Sequence, residues 1–142
     1  MELRQDSLGF LLADVSRLMR RAFKQRLEGS SLTLAQARAL VYVSRHEGVR
    51  QVDLADMLEV QPITLARLID QLTDSGLVER RPDPNDRRAY RVFLTPAATP
   101  HLAAIEQVAA TIRTVALLDL DKQQAATLLL ALHKMRDNLS SR

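Results

Sequence analysis

A short polar segment between two β-prone runs constrains the fold of this chain more than any other feature. Residues 83–89 read Asp-Pro-Asn-Asp-Arg-Arg-Ala, between the runs Leu77–Arg81 and Tyr90–Leu94. Pro, Asn and Asp are turn formers, so the pattern predicts two strands joined by an exposed loop. The predicted hairpin carries five arginines, with Arg87 and Arg88 at its tip and Arg80, Arg81 and Arg91 on its strands.

A hairpin of this charge is suited to DNA but does not by itself indicate DNA binding. A thin cationic hairpin can enter a minor groove, where negative potential concentrates. Taken alone, residues 77–95 are explained more simply as a solvated hairpin with ordinary surface charge. The helices that precede the hairpin favour DNA binding instead.

Two helices are predicted in the first third of the chain. Apolar residues recur at helical spacing from about Ser7 to Leu27. Thr33 and Gln36 then form a capping-box pattern, which predicts a second helix that runs to about Ser44.

Two further helices precede the hairpin. The third spans about Gln51–Leu58, with Val52 among its expected buried residues. After the turn at residues 59–61, the fourth runs over about Pro62–Ser75, because proline is favoured in a first helical turn and Gly76 suits a C-terminal cap. The expected inward stripe of the fourth helix is Leu65, Leu68, Ile69 and Leu72.

Helical patterns return after the hairpin. The fifth helix begins after Pro96, and Pro100 is expected to delay its start or kink it. A break at Leu117–Leu120 separates it from a sixth helix, for which Asp121 and Gln124 form the N-terminal cap.

This order of elements predicts a winged helix-turn-helix, mainly α with a small β-hairpin wing (α+β). The long helices at both ends carry apolar stripes with no partner in so small a domain. We therefore expect residues 1–30 and 96–142 to form a helical dimerisation region, a stalk shared with a second copy. Residues 31–95 are the expected DNA-binding region of the same structural domain.

Composition narrows the function. The 142 residues contain no cysteine, which excludes disulfides and thiolate zinc sites. No enzyme motif or long apolar span is present, so we expect a cytoplasmic protein with no membrane association and no catalytic role. His46, His101 and His133 are too scattered to predict a metal site, and no cofactor is predicted.

One ordered set of motifs resembles the MarR family of bacterial transcription regulators, with its SlyA-like branch as the subgroup considered. Asp86-Arg87-Arg88 followed by Leu94-Thr95 matches that family's wing signature D-x-R-x-x-x-x-x-L-T. Leu54-Ala55, Leu68–Leu72 and Gly76–Arg80 fit the family as well. The resemblance covers the whole chain and is strongest from about residue 51 to residue 95.

The resemblance implies a homodimer in which each lobe inserts a recognition helix, here Pro62–Ser75, into the major groove and a wing into the adjacent minor groove. The partner is then double-stranded DNA with a pseudo-palindromic operator, its half-sites about 10 bp apart. The residues assigned to DNA are Gln61, Pro62, Ile63, Thr64, Arg67 and Gln71 on the helix and Asp86, Arg87, Arg88 and Arg91 on the wing.

Individual roles follow from side-chain chemistry within that frame. Arg88 occupies the signature arginine position and is assigned to minor-groove insertion, with Arg87 beside it on the DNA backbone. Asp86 is expected to hold the arginines or the turn by ion pair and hydrogen bond. Arg67, the one basic residue of the recognition helix, either forks onto a guanine or clamps a phosphate.

The neighbouring positions stay open in part. Thr64 either donates a hydrogen bond to a phosphate or touches a thymine methyl group. Leu65 is expected in the core, whereas Ile63 fits the core and the surface equally well.

The resemblance also implies an effector, typically a small aromatic anion such as a phenolic carboxylate, that binds between the first, second and fifth helices and releases the DNA. Arg17 and Arg38 are the candidates to receive its carboxylate. The predicted function is thus a DNA-binding repressor. The other possibilities are a winged-helix protein-interaction module and a ligand-binding dimer without specific DNA binding.

Overall fold

The computed structural model describes residues 7–140, and these form six helices and three strands. The helices are α1 (Leu8–Leu27), α2 (Leu34–Arg45), α3 (Gln51–Leu58), α4 (Pro62–Asp74), α5 (Ala98–Ala116) and α6 (Lys122–Ser140). The strands are β1 (Val49–Arg50), β2 (Val78–Asp83) and β3 (Asp86–Leu94). The predicted mainly helical α+β class is confirmed.

Local sequence signals set two helix starts as predicted. At α2, the Thr33 hydroxyl accepts a hydrogen bond from the Gln36 N–H at 3.2 Å, and the Gln36 side chain accepts one from the Thr33 N–H at 2.9 Å. Asp121 and Gln124 form the same reciprocal pair at the start of α6. Each pair gives partners to N–H groups that a helix start leaves unsatisfied.

The end of α4 turns the chain directly into the sheet. Gly76 has a φ of +76°, a left-handed conformation that costs glycine little. The Gly76 N–H donates to the Thr73 carbonyl and the Leu77 N–H to the Leu72 carbonyl, which is the Schellman pattern. Helix α4 therefore stops at Asp74, one residue before the predicted end, and β2 begins at Val78.

The three strands form an antiparallel sheet in the order β1-β3-β2. Strand β1 was missed by the sequence analysis, because two residues are too few to show an alternating pattern. The predicted loop over residues 83–89 was wrong in extent: both strands run on to a turn at Pro84–Asn85. Pairing passes from Pro82 with Tyr90 to Asp83 with Asp86, so residues 87–89 form a bulge in β3 without partners in β2.

The core lies between α2, α3, α4 and the sheet. Its fully buried large side chains are Leu40, Val43, Leu54, Leu65, Ile69, Leu72, Val78 and Val92. Val52 was predicted to be buried, but its side chain is 53% exposed because it lies on the outer face of the short helix α3.

The long helices are packed much less completely. Leu27 is the one buried residue of α1, and no residue of α6 within the described chain is buried. Helix α5 begins at Ala98, so Pro100 lies in its first turn and does not delay it. A proline is tolerated there, since first-turn N–H groups have no carbonyl partner within the helix.

Candidate nucleic-acid interface

Helix α4 has one buried face and one exposed face. Leu65, Ile69 and Leu72 anchor the buried face. The exposed face carries side chains at positions that a 3.6-residue repeat brings together: Ile63, Thr64, Arg67 and Gln71. Ile63 is 65% exposed, which settles the choice that the sequence left open, and the expected burial of Leu65 is confirmed.

The N-terminus of α4 is open to an anion. Gln61 precedes the helix without forming a side-chain cap, Pro62 is its first residue, and its first turn contains no acidic residue. Uncapped N–H groups and the positive end of the helix dipole favour a phosphate at such a position. The exposed face and the open N-terminus together suit a nucleic-acid backbone.

Two polar residues on the exposed face of α4 differ in their contacts. The Gln71 side-chain carbonyl accepts a hydrogen bond from the Gln36 amide at 3.0 Å, which connects α4 to α2. Arg67 is exposed, and its guanidinium makes no hydrogen bond or ion pair within residues 7–140. Arg67 is therefore available to an external partner, whereas Gln71 already has one.

The tip of the wing exposes two arginines. Arg87 and Arg88 lie in the β3 bulge, and neither side chain has a polar partner in the described part of the chain. Two carboxylates shape the backbone around them: the Asn85 N–H donates to Asp83 at 2.9 Å, and the Arg88 N–H donates to Asp86 at 3.0 Å. Bulges redirect side chains in this way, so both guanidinium groups project from a fixed turn.

Two other arginines belong to the base of the wing. Arg50 and Arg91 are paired across β1 and β3, and each Nε lies 3.4 Å from Asp83 Oδ2. The Arg91 Nη1 also donates to the Gly48 carbonyl at 3.1 Å. Asp83 is 6% exposed, so one buried carboxylate offsets two neighbouring cations that would otherwise repel each other.

The strand β2 contributes two arginines that also have internal partners. Arg80 Nη1 lies 2.7 Å from Asp70 of α4, its Nε donates to Gln51 at 2.8 Å, and its Nη2 donates to the Ala66 carbonyl at 3.1 Å. Arg81 pairs with Glu79 and stacks 3.9 Å from the centre of the Phe93 ring. Of the five hairpin arginines, Arg87 and Arg88 are therefore the two without internal partners in the described structure.

A cleft separates the wing from the start of α4. We call this space of about 340 Å³ the wing cleft. Pro62 and Val52 line one side, and Arg88 and Tyr90 line the other, with Arg50 and Asp86 also present. The start of α4 and the wing therefore line the same cleft.

A second cavity lies between α1, α2 and α5. It measures about 260 Å³, and its lining is mostly apolar, with Phe23, Val41, Tyr42 and Ile105 among its residues. Arg38 lines it, as do Arg20 and Glu106. Arg17 does not: its side chain is 60% exposed, and its guanidinium lies 3.6 Å from Asp14.

Comparison with known proteins identifies the fold. Residues 32–90 match the sequence model of the MarR family. A crystal structure of MarR superimposes with a TM-score of 0.85 at 25% identity, covering 95% of this chain and 92% of that one. A mutant MarR from E. coli complexed with operator DNA gives 0.71 at 29% identity, covering 90% and 92%. The transcriptional regulator SlyA gives 0.74 at 25% identity, covering 92% of both chains.

The MarR family model matches residues 32–90, and the chain shares the fold of MarR and of SlyA over most of its length. The resemblance seen in the sequence is thereby confirmed at the level of the family. The chain is 25% identical in sequence to both MarR and SlyA. Assignment to the SlyA-like branch therefore stays a prediction.

The sequence analysis missed two residues at the base of the wing. Arg50 was overlooked because it lies more than 25 positions before the hairpin, and Asp83 was grouped with the exposed loop. The one available signal was the number of arginines in the hairpin, since neighbouring cations are stabilised by a nearby carboxylate. Its position could not be read from the sequence.

The same described residues bear on two further expectations. Among residues 7–140, no three His, Asp or Glu side chains gather into a potential metal site. No helix in that range has both the length and the apolar character to cross a bilayer.

Proposed function

We propose that this chain is a homodimeric transcriptional regulator that binds a pseudo-palindromic operator and acts as a repressor. The observation that carries the proposal is that Arg67 on the exposed face of α4, and Arg87 and Arg88 on the wing, have no polar side-chain partner within residues 7–140. A regulator of this kind acts in the cytoplasm, through binding rather than catalysis.

The proposed docking follows the dimensions of duplex DNA. A major groove about 12 Å wide admits a helix, and a minor groove about 6 Å wide admits a thin hairpin tip. Helix α4 would therefore enter the major groove while the β3 bulge enters the flanking minor groove. The MarR structure complexed with operator DNA, which shares this fold, supports DNA as the partner.

Dimerisation is supported by the long helices. Apolar side chains of α1 and α6 are exposed in the single chain, among them Leu11, Val15, Leu18, Leu128 and Leu129. Contiguous exposed apolar surface of this kind marks an interaction site. We assign residues 1–30 and 96–142 to the dimer interface and residues 31–95 to DNA. A two-fold dimer then reads half-sites about 10 bp apart.

The proposed contacts divide between readout and support. Arg88 inserts into the minor groove with Arg87 on the adjacent backbone, and Arg67 contacts a guanine or a phosphate. Thr64 donates a hydrogen bond to a phosphate or touches a thymine methyl group, and Ile63 makes apolar contacts to base edges. The Gln61–Pro62 start of α4 approaches a phosphate. Arg91, Asp86 and Gln71 are already engaged within the chain, so their part in DNA binding is to hold the wing and α4 in position.

A test of DNA binding uses fluorescence anisotropy. The purified protein is titrated into the duplex upstream of its own gene and into a scrambled duplex, over a salt series. We expect tight, sequence-dependent binding with a steep loss of affinity as salt rises. Equally weak binding to both, repeated with a duplex selected from a random pool, would favour the protein-interaction or ligand-binding alternatives. A reporter fused to the upstream region should rise in activity when the regulator is deleted.

The cavity between α1, α2 and α5 supports a further part of the proposal, release of DNA by a small aromatic anion. Its volume of about 260 Å³ is near the lower end of ligand pockets, which span about 300–1,000 Å³. A one-ring acid would place its ring on the apolar lining and its carboxylate on Arg38. Helix α2 lines this cavity and also reaches α4 through the Gln36–Gln71 hydrogen bond, so a ligand can bias the position of the recognition helix.

Salicylate and other aromatic acids at millimolar concentration test this part. We expect them to weaken operator binding by the wild type, and the substitution Arg38→Ala to reduce that effect without changing operator affinity in their absence. Arg17→Ala is the matched control, since Arg17 does not line the cavity. Unchanged DNA affinity across the acids would argue against this effector class.

A further inference from the structure

We propose that Arg50 forms a binding site for a DNA phosphate in the wing cleft. The proposal rests on the DNA-binding function above and assigns it a contact residue outside both the recognition helix and the wing hairpin. The ligand is a phosphodiester of the strand that passes between the two grooves.

The course of that strand follows from the docking geometry. A major and a minor groove that are neighbours on a duplex are separated by one sugar-phosphate backbone. When α4 occupies the major groove and the wing occupies the minor groove, that backbone must cross the space between them. The space is the wing cleft, with Pro62 on the α4 side and Arg88 on the wing side.

Arg50 lines this cleft with donor capacity to spare. Its Nε lies 3.4 Å from Asp83, and its Nη2 lies 3.9 Å from Asp86. Both distances exceed the 2.7–2.9 Å of a charge-assisted hydrogen bond, and the buried Nε has no hydrogen-bond partner among the described residues. The side chain as a whole is 39% exposed, so a phosphate can reach its two Nη groups, which make no hydrogen bond within residues 7–140.

Arg80, in the same region, differs from Arg50 because its hydrogen-bond donors are occupied. Its guanidinium makes contacts of 2.7, 2.8 and 3.1 Å to three partners and is 24% exposed. Arg80 therefore has little left to offer DNA. The two carboxylates orient Arg50 but leave its Nη hydrogen-bond donors available.

The two carboxylates beside Arg50 differ in exposure. Asp83 is buried and pairs with the Arg50 Nε, whereas Asp86 lines the cleft and is 47% exposed. A phosphate that enters beside Arg50 can replace the loose 3.9 Å attraction to Asp86 with direct hydrogen bonds. Arg88, on the far side of the cleft, adds a second positive charge.

The experiment removes either the negative charge of one DNA phosphate or the positive charge of Arg50. A duplex selected by the wild type from a random pool is prepared as a set in which single phosphates are replaced by uncharged methylphosphonates. Wild type, Arg50→Met and Arg50→Lys are titrated with each duplex and over a salt series. Arg113→Met, which removes the same charge from a side chain on α5, is the matched control. Circular dichroism and sedimentation establish that each variant keeps its fold and assembly.

We expect one phosphate per half-site at which neutralisation weakens wild-type binding roughly tenfold, the lower end for hydrogen bonds to a charged group. Arg50→Met should be insensitive at that phosphate, while Arg50→Lys and Arg113→Met keep the sensitivity. The slope of log affinity against log salt should fall by about 1.8 per dimer in Arg50→Met, at about 0.9 for each lost contact. Preference among sequences should stay unchanged, since phosphates carry no base identity.

The result that overturns the proposal is an Arg50→Met protein with the wild-type salt slope and the wild-type response at every phosphate. A weaker affinity with that unchanged response would mean that Arg50 only supports the wing. If Arg50→Met does not fold, the wild-type scan still decides: the absence of any sensitive phosphate between the two groove contacts rejects the site. Failure of the whole DNA-binding function would look different, because the wild type itself would then show no salt-dependent duplex binding.

Discussion

The region from α2 to β3 and the three long helices use their apolar residues in opposite ways. In the first region Leu54, Leu65 and Ile69 are completely buried within one chain. In the long helices, many large apolar side chains remain exposed: Leu130 is 70% exposed, and α6 has no buried residue within the described structure. Leu27 of α1 and Ala98 and Ile105 of α5 join the core, but the proposed DNA-reading part supplies most of it.

This difference indicates where the stability of each part comes from. Burial of apolar surface contributes about 25 cal/mol per Å², so the reading region can hold its shape without a partner. The exposed apolar side chains of the long helices gain that contribution only when a second surface covers them. The proposed dimer, which joins two DNA-reading regions through the long helices, would account for both halves of the contrast.

The largest expected effect comes from removing α6 altogether. A chain that ends after Leu118 should be monomeric and should lose operator affinity on the order of 100-fold or more, because two linked half-site contacts become two separate ones. Sedimentation velocity and anisotropy measure the two losses. A shortened chain that remains dimeric at the same concentration would contradict the assignment of α6 to the dimer interface.

The next effect contrasts two residues of α4 that are two positions apart. Leu65→Ala should lower the free energy of unfolding by about 2–5 kcal/mol, because it leaves a cavity in the closed core. Ile63→Ala should change that free energy by no more than about 0.5 kcal/mol, since its side chain is 65% exposed. Urea titration at one fixed protein concentration measures both. Equal losses would mean that the reader is not the self-contained unit described above.

Features that depend on neighbouring residues were predictable from the sequence. The caps at Thr33 and Asp121, the start of α4 at Pro62 and the glycine at its end are local, and each was found where expected. The burial of Leu65 followed equally well from helical periodicity, which reports the direction of the core.

Features that depend on distant partners were not predictable. The hairpin arginines looked alike in the sequence, but the acceptor of Arg91 lies 43 positions away and that of Arg80 at Gln51 lies 29 positions away. Only the tertiary structure shows which cations are already occupied. For the same reason, the candidate interface was predicted as a region, while the division between contacting and supporting residues required the fold.

A smaller effect is expected for Arg67, and it concerns discrimination between bases. If its guanidinium reads a guanine, Arg67→Ala should reduce discrimination at one base pair per half-site by about 1–3 kcal/mol and leave the fold intact. Competition between the selected operator and single-base variants measures this. A uniform loss of affinity across all the variants would instead assign Arg67 to a phosphate.

The smallest effect compares one arginine from each region. The Arg88 side chain has no polar partner within residues 7–140, and Arg17 lies on α1 beside Asp14. Arg88→Ala should lower the slope of log affinity against log salt by about 0.9 for each wing, whereas Arg17→Ala should leave the slope unchanged although it removes the same formal charge. Anisotropy over a range from about 50 to 200 mM salt resolves that difference. Equal slopes for the two variants would show that net charge alone attracts the DNA, and the distinction between a reading region and a dimerising region would then not extend to electrostatics.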